Sequence, residues 1–238
     1  MSKHPIFIQI RLKLDFFQRF LEIAYAIGSI DDHRTLWDDD DGFFYDTLRM
    51  PNGTFFQMKV RSMVGLIPLL AVLTLDEKDL ASAPVFKMQV DQFLDQRPDL
   101  VAMVSRWHDV NGEKRLLSVL RGHRTKCLLQ RMLDPDEFLS DYGVRSLSKW
   151  HLDHPFQINW MNQELSVGYL PGESDSGMFG GNSNWRGPVW MPVNFLLTES
   201  LQAFHQYYSD DFQVECPTGS GRMMSLREIA GRLPVGAF

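Results

Sequence analysis

The chain has 238 residues, of which 44% are hydrophobic, 12% aromatic and 23% charged, and its formal net charge is -6. These values are ordinary for a globular protein and argue against an intrinsically disordered chain. The mild acidity gives no basic face for nucleic acid, and no apolar run approaches the roughly 20 residues that a membrane span needs.

The cysteines and the amino-terminal sequence indicate a reducing compartment. Cys127 and Cys216 are the two cysteines of the chain, which is too few for a disulfide framework or a cysteine-based zinc site. The first residues contain no apolar stretch that ends in a cleavage site, so no signal peptide is expected. We therefore predict a cytoplasmic protein without metal or cofactor, and with neither nucleic acid nor a membrane as partner.

Apolar residues recur at helical spacing in several segments of the chain. Pro68 lies inside one of them and predicts a kink or a late helix start. Ser225 is followed three residues later by Glu228, a capping box that predicts a last helix from Ser225 onward. In chain order, the other helices are predicted over residues 12–27, 60–75, 85–94, 99–107, 128–133 and 189–208.

Residues 143–188 differ in character, because they are rich in Gly, Asn, Ser, Asp, His and Trp. This composition predicts a long loop with one short hairpin around Glu164 to Tyr169. Alternating strand patterns are scarce in the rest of the chain. The sequence therefore predicts an all-α protein of helices packed on helices, with a site built from loop ends and with no domain boundary.

Three segments combine carboxylates, aromatic rings and glycines, namely residues 36–46, 172–190 and 214–221. Such a mixture suits a carbohydrate, because a sugar presents an apolar C–H face to aromatic rings and hydroxyls to carboxylate, amide and guanidinium groups. Cleavage of a glycosidic bond also needs two carboxyl groups beside the bond. These segments therefore favour a sugar site.

Simpler interpretations of the same residues remain open. The run Asp38 to Asp41 can be a solvated acidic turn or a calcium site, although it lacks the spacing of an EF-hand. His151 and His154 can ligate a metal ion or be hydrogen-bonded loop histidines. Gly180 and Gly181 lack the lysine that follows the glycines of a phosphate-binding loop.

Five ordered segments resemble glycoside hydrolase family 63, the group that contains mannosyl-oligosaccharide glucosidases and mannosylglycerate hydrolases. The resemblance extends from about residue 15 to about residue 230, and the most specific piece is NSNWRGPVWMPVNFLL. The segments are LWDDDDGFFYD at 36–46, KVRSMVGLIPLLA at 59–71, EFLSDYGVRSL at 137–147, FGGNSNWRGPVWMPVNFLL at 179–197, and residues 212–230.

The resemblance implies an (α/α)6 barrel whose site lies where the loops between helices converge. It also implies an inverting enzyme for α-linked glucosides or mannosides, with Asp as general acid and Glu as general base. The family's general base falls on Glu215 here, although a carboxylate that only braces its loop is the alternative for this residue. The residues that match or neighbour the family's sugar subsite are Trp37, Asp41, Tyr45, Asp46, Glu173, Asn182, Trp185, Arg186 and Trp190.

The general-acid segment of the family precedes the LWDDDDGFFYD-like loop, and nothing in the residues before Trp37 resembles it. The resemblance therefore predicts that residues 1–238 are a partial catalytic domain, from the C-terminal part of the barrel. Such a chain is expected to be weakly active or inactive alone, and to self-associate or bind a complementary N-terminal fragment. The alternatives are a non-catalytic carbohydrate-binding or scaffold remnant, and an unrelated metal-dependent α-toroid.

Overall fold

The computed structural model describes residues 4–28, 36–101, 114–120, 122–160, 162–170 and 188–233. Helices and short antiparallel hairpins alternate along these residues, so the fold is mixed α and β. The predicted all-α fold, and with it the (α/α)6 barrel, is wrong. The strands have only two to five residues, too few for an alternating pattern to stand out in the sequence.

Seven α-helices lie in the described ranges, and 3₁₀-helices cover Met63–Leu70, Lys149–Leu152 and Ser209–Asp211. The helices predicted near the start of the chain, at 85–94 and at 189–208, are confirmed, as is the capping box of Ser225 and Glu228. The α-helices are α1 His4–Gly28, α2 Glu77–Ala81, α3 Pro84–Gln96, α4 Pro98–Val101, α5 Gly122–Met132, α6 Met191–Tyr208 and α7 Leu226–Ala230.

Twelve strands of the described ranges form six separate two-stranded antiparallel sheets. Each sheet joins two strands that follow one another in the strand order, and helices α2, α3 and α4 lie between β5 and β6. The pairs are β1 Trp37–Asp38 with β2 Phe43–Phe44, β3 Asp46–Arg49 with β4 Phe55–Met58, β5 Val72–Asp76 with β6 Lys114–Ser118, β7 Leu139–Ser140 with β8 Gly143–Val144, β9 Phe156–Trp160 with β10 Gln163–Val167, and β11 Gln213–Glu215 with β12 Met223–Ser225.

The predicted helix over residues 60–75 is divided in the structure. Ser62 caps a 3₁₀-helix that ends at Leu70, and the apolar residues from Val72 onward continue as strand β5. Pro68 lies in this short helix and provides no backbone N–H for a longer ladder. Periodicity alone cannot separate a short buried strand from a helix, so the whole apolar run resembled one helix in the sequence.

The predicted long loop also contains more structure than its composition suggested. The hairpin expected around residues 164–169 is present, but it begins earlier, with β9, and pairs Val167 with Phe156. Asn162 makes its turn with a positive φ of 60°, a conformation that asparagine tolerates better than most residues. The hairpin was therefore predicted in the correct region and with the wrong boundaries.

The main hydrophobic core lies between β2, α5, α6 and α7. Its fully buried side chains include Phe43, Leu128, Phe204 and Ile229. A smaller cluster joins α1 to α3 and α4 through buried side chains such as Leu21 and Val90. Among the described residues, no helix has a stretch long and apolar enough to cross a bilayer.

A buried amide connects α6 to the β7–β8 hairpin. The Asn194 side chain accepts a hydrogen bond from the Val144 N–H at 2.7 Å and donates one to the Val144 C=O at 3.0 Å. Gly143 has a φ of +125°, and a Cβ at this position would lie 2.7 Å from Asn194 Oδ1. The hairpin therefore approaches α6 so closely that only glycine fits at this position.

Replacement of Gly65 tests the contact between the 3₁₀-helix and β2. A Cβ at residue 65 would lie 2.3 Å from the Phe43 ring and 2.5 Å from the Phe44 carbonyl oxygen, so we expect Gly65→Ala to destabilise the fold by about 2 kcal/mol or more. Urea denaturation measures this loss. Gly122→Ala is the matched control, because no atom lies within 4 Å of its added Cβ, and equal stability of the two variants would contradict the packing.

Candidate functional site

The aromatic and acidic loop at residues 36–46 folds as the β1–β2 hairpin. Its turn is closed by the Asp41 N–H, which donates to Asp38 Oδ1 at 2.8 Å. The Trp37 indole N–H donates to Asp39 Oδ1 at 2.7 Å. Gly42 has a φ of +58° and packs against Cys127 of α5, so that the turn rests on this helix. The rings therefore face the core while the carboxylates surround the turn.

Three side chains make hydrogen bonds to the Asp41 carboxylate. Arg61 Nη2 lies 2.9 Å from Oδ1, and Lys59 Nζ and the Tyr45 hydroxyl each lie 3.2 Å from Oδ2. Burial acts to raise the pKa of Asp41, but the hydrogen bond from Lys59 and the charge of Arg61 outweigh it, and the pKa lies below its ordinary value. Asp41 is therefore ionised at neutral pH.

Glu137 is the second anion of the cluster, and it is 6% exposed. Its Oε1 accepts from Arg61 Nη1 at 2.7 Å and from Arg131 Nη1 at 2.5 Å. Its Oε2 accepts from the Ser148 hydroxyl. Both carboxylate oxygens are thus hydrogen-bonded, as a buried charge requires.

The two arginines join segments that are far apart in the sequence. Arg131 of α5 also donates to the main-chain carbonyl of Asp41, with Nε at 2.7 Å. The Arg61 guanidinium lies 4.0 Å from the centre of the Trp150 ring, and its Nε donates to the Tyr45 hydroxyl at 3.3 Å. We call these interacting residues the charge cluster: Asp38, Asp41, Tyr45, Lys59, Arg61, Arg131, Glu137, Ser148 and Trp150.

His151 lies behind the charge cluster and has both ring nitrogens occupied. Nε2 accepts from the Arg61 N–H at 2.8 Å, and Nδ1 donates to the His154 carbonyl at 2.9 Å. Burial lowers the pKa of His151, which keeps the imidazole neutral. In the described ranges no three His, Cys, Asp or Glu side chains are grouped to hold a metal ion. The rings of His151 and His154 make hydrogen bonds to backbone carbonyls.

Glu215 ends strand β11, and its side chain is turned into its own hairpin. Its carboxylate accepts a hydrogen bond from the Gly221 N–H. Hydrogen bonds from the backbone of Gly219 and Gly221 lower the pKa of Glu215 below its ordinary value of 4.5. The carboxylate is ionised and solvent-accessible, and it also braces the β11–β12 turn.

Helix α5 holds this hairpin as well as the charge cluster. The Thr218 N–H donates to the Leu133 carbonyl at 2.9 Å, and the Thr218 hydroxyl donates to the Gln130 carbonyl at 2.7 Å. Arg131, between these two carbonyls in sequence, points to Glu137 and Asp41. The C-terminal end of α5 therefore fixes two features. One is the β11–β12 hairpin, which carries Glu215, and the other is the acidic turn at residues 38–41.

The structure separates the predicted sugar-binding residues into several groups. Trp37 and Tyr45 are buried, at 2% and 4% exposure, whereas Asp41 is half-buried and Asp46 exposed. Trp190 is half-buried and caps α6, where its carbonyl accepts the Asn194 N–H at 3.1 Å. Glu173, Asn182, Trp185 and Arg186 lie outside the described residues.

Several residues of the charge cluster were not singled out by the sequence analysis, namely Lys59, Arg61, Arg131, Glu137 and Ser148. Lys59 and Arg61 lie between β4 and the 3₁₀-helix, two residues apart, and both side chains reach Asp41. Glu137 follows an Asp-Pro-Asp turn that reads as exposed loop in the sequence. Only the tertiary contacts show that these charges meet.

Glu137→Gln tests the energetic weight of the charge cluster. The variant leaves two partly buried guanidinium groups with one anion fewer, so we expect it to lose about 3 kcal/mol of unfolding free energy at pH 7, measured by urea denaturation. Asp136→Asn is the matched control, because Asp136 pairs with Lys149 and is 88% exposed, so less than about 1 kcal/mol should be lost. Similar losses for both variants would refute the role of Glu137.

Comparison with known proteins agrees with the family to which the sequence segments pointed. Residues 115–216 match the family model described as "Glycosyl hydrolase family 63 C-terminal domain", a range that includes Arg131, Glu137 and Glu215. The chain is also similar to "Uncharacterized protein YMR196W" of Saccharomyces cerevisiae, with 43% identity over 248 residues. The match covers 98% of this chain and 22% of the yeast protein, so the chain spans about a fifth of that relative. Residues 115–216 therefore match part of the C-terminal domain of glycosyl hydrolase family 63.

Proposed function

We propose that the chain is part of a glycosidase that hydrolyses α-linked glucosides or mannosides with inversion, and that Glu215 is its general base. The observation that carries the proposal is the state of Glu215, an ionised and accessible carboxylate in the family-matched range. A general base must be deprotonated and must reach a water molecule beside the sugar ring. Glu215 meets the first requirement and has the exposure needed for the second.

The hydrogen bonds to Glu215 support this role because they come from neutral groups. The Gly221 N–H orients one carboxylate oxygen and stabilises its charge without adding a counter-cation. The negative charge of Glu215 therefore remains available to polarise a water molecule. Asp41, in contrast, has Lys59 and Arg61 as direct counter-ions, which makes it a poorer proton acceptor.

In this proposal the acidic turn is one wall of the sugar subsite. Asp41 and Lys59 are the most exposed charged members of the charge cluster, with side-chain exposures of 23% and 50%. Their oxygens and ammonium group can accept from and donate to sugar hydroxyls. The buried rings of Trp37 and Tyr45 support the turn from behind, and Asp46 extends its exposed edge.

The other subsite residues of the proposal are those implied by the family resemblance. Trp190 lies at the start of α6, and the side chains expected to complete the second wall are Glu173, Asn182, Trp185 and Arg186. The general acid is assigned to a segment outside these 238 residues. The enzyme is therefore proposed to act as a longer protein, consistent with the longer yeast relative.

Glu215→Gln in a form of the protein extended upstream along its gene tests the assignment. Glutamine still accepts the Gly221 N–H but cannot take a proton, so we expect kcat to fall about 10²–10⁴-fold on α-linked disaccharides while the fold is retained. Glu164→Gln, an exposed glutamate on β10, is the matched control and should keep full activity. Nuclear magnetic resonance of the sugar released by the active protein should show the β anomer first, because inversion of an α-linkage produces it.

Three outcomes of that experiment would contradict the proposal: full activity of Glu215→Gln, release of the α anomer, or equal activity of the extended protein and the 238-residue chain. The second candidate function is a non-catalytic sugar-binding protein, which is favoured by the way Glu215 braces its own turn. It predicts that the wild-type and Glu215→Gln proteins bind the sugar equally and that neither hydrolyses it.

The pH profile provides an independent test. Because the pKa of Glu215 lies below 4.5, the base is ionised at every higher pH and is lost only when acid protonates it. We therefore expect the acidic limb of kcat/KM, which reports the free enzyme, to lie below pH 4.5. An acidic limb at about pH 6 would point to a different base.

A further inference from the structure

A cavity separate from the acidic turn lies between the β7–β8 region and the C-terminal hairpin. It has a volume of about 460 Å³. One wall is formed by residues 135–149, and the other by Cys216, Pro217 and the residues that end α7. We call it the basic cavity because its charged lining is mostly cationic. Its volume falls in the range of small-molecule sites.

Three cations and one carboxylate line the basic cavity. Arg145 and Lys149 belong to the first wall, Arg232 belongs to the second, and Asp141 is the carboxylate. The whole chain carries a net charge of -6, so this concentration of positive charge runs against the overall composition. Cations on facing walls can bind one anion from two sides.

The partners of Arg145 hold its guanidinium group without neutralising it. Arg145 Nη1 donates to the main-chain carbonyls of Pro135, Glu137 and Leu139, the first two at 3.1 and 3.3 Å. Carbonyl dipoles orient the group but carry no net charge. Arg145 therefore presents a fixed positive charge to the cavity.

The other two cations are also available to an anion. Lys149 pairs with Asp136 at 2.9 Å, but Asp136 is 88% exposed, and such surface pairs are weak. Arg232 follows α7, and its backbone N–H donates to the Ile229 carbonyl at 2.9 Å, which fixes the start of the side chain. Burial raises the pKa of the Cys216 thiol, so this part of the second wall is neutral and does not repel an anion.

The basic cavity lies on the opposite face of the hairpin from Glu215. Val214 and Cys216 are buried on the side of the core and cavity, and the intervening Glu215 points the other way because side chains alternate along a strand. A ligand in the basic cavity would therefore lie on the other side of the strand from the Glu215 carboxylate.

We propose that the basic cavity binds the phosphate group of a phosphorylated small molecule, held by Arg145, Lys149 and Arg232. A phosphate offers several oxygens that accept charge-assisted hydrogen bonds from different directions, and a carboxylate offers fewer. The cavity is larger than a free phosphate ion, and the remaining space suits the organic part of a phosphate monoester. A sugar phosphate fits this description.

Isothermal titration calorimetry with inorganic phosphate, glucose 6-phosphate and glucose tests the site in the purified protein. We expect glucose 6-phosphate to bind with a Kd of about 1 mM or lower, inorganic phosphate to bind more weakly, and glucose to show no binding. Added NaCl should weaken both phosphate ligands, because the attraction is between charges. Tighter binding of inorganic phosphate than of the monoester, or binding of glucose alone, would overturn the proposal.

The Arg232→Gln variant tests whether glucose 6-phosphate binds in the basic cavity. We expect about tenfold weaker affinity for glucose 6-phosphate, whereas Arg232→Lys should retain most of it and Lys149→Gln should lose several-fold. Arg227→Gln is the matched control, because it removes the same charge from the exposed side of α7. Thermal unfolding without ligand checks that each variant is folded. Unchanged affinity in both Arg232→Gln and Lys149→Gln, or an equal loss in Arg227→Gln, would refute the site.

Discussion

Arg61 bridges the carboxylates of Asp41 and Glu137, and the rest of the structure depends on this bridge. It joins the acidic turn, the segment before the 3₁₀-helix and the loop after α5, which are separated by 20 and 76 residues. Each charge of this kind is costly to bury alone, and removal of one partner leaves the others uncompensated. The three segments are therefore held in one arrangement. The cluster balances Lys59, Arg61 and Arg131 against Asp38, Asp41 and Glu137.

Helix α5 extends this arrangement to the C-terminal hairpin. Its last turn sends Arg131 to the charge cluster, while the carbonyls of Gln130 and Leu133 accept hydrogen bonds from Thr218. A shift of α5 would therefore move the acidic turn and the Glu215 hairpin together.

The sequence predicted what depends on local chemistry and missed what depends on distant contacts. The capping box of Ser225 and Glu228, and the long helix that is α6, follow from neighbouring residues. The division of residues 60–75 into a 3₁₀-helix and a strand depends on the pairing of β5 with β6, about 40 residues later. From the sequence alone Glu137 is expected to be a surface carboxylate, whereas in the structure it is buried between Arg61 and Arg131. The acidic turn stays a predicted site, and its aromatic rings are buried in the core.

Asp41 and Glu215 show how similar carboxylates acquire different capacities. The pKa of each lies below its ordinary value, but the causes differ: cations act on Asp41, and backbone N–H groups act on Glu215. A lowered pKa means a lower proton affinity in both cases, but the cations beside Asp41 also neutralise its field. A carboxylate held by amide dipoles keeps its net charge. By this reasoning Asp41 is suited to hold structure and sugar hydroxyls, and Glu215 is the better candidate to activate water.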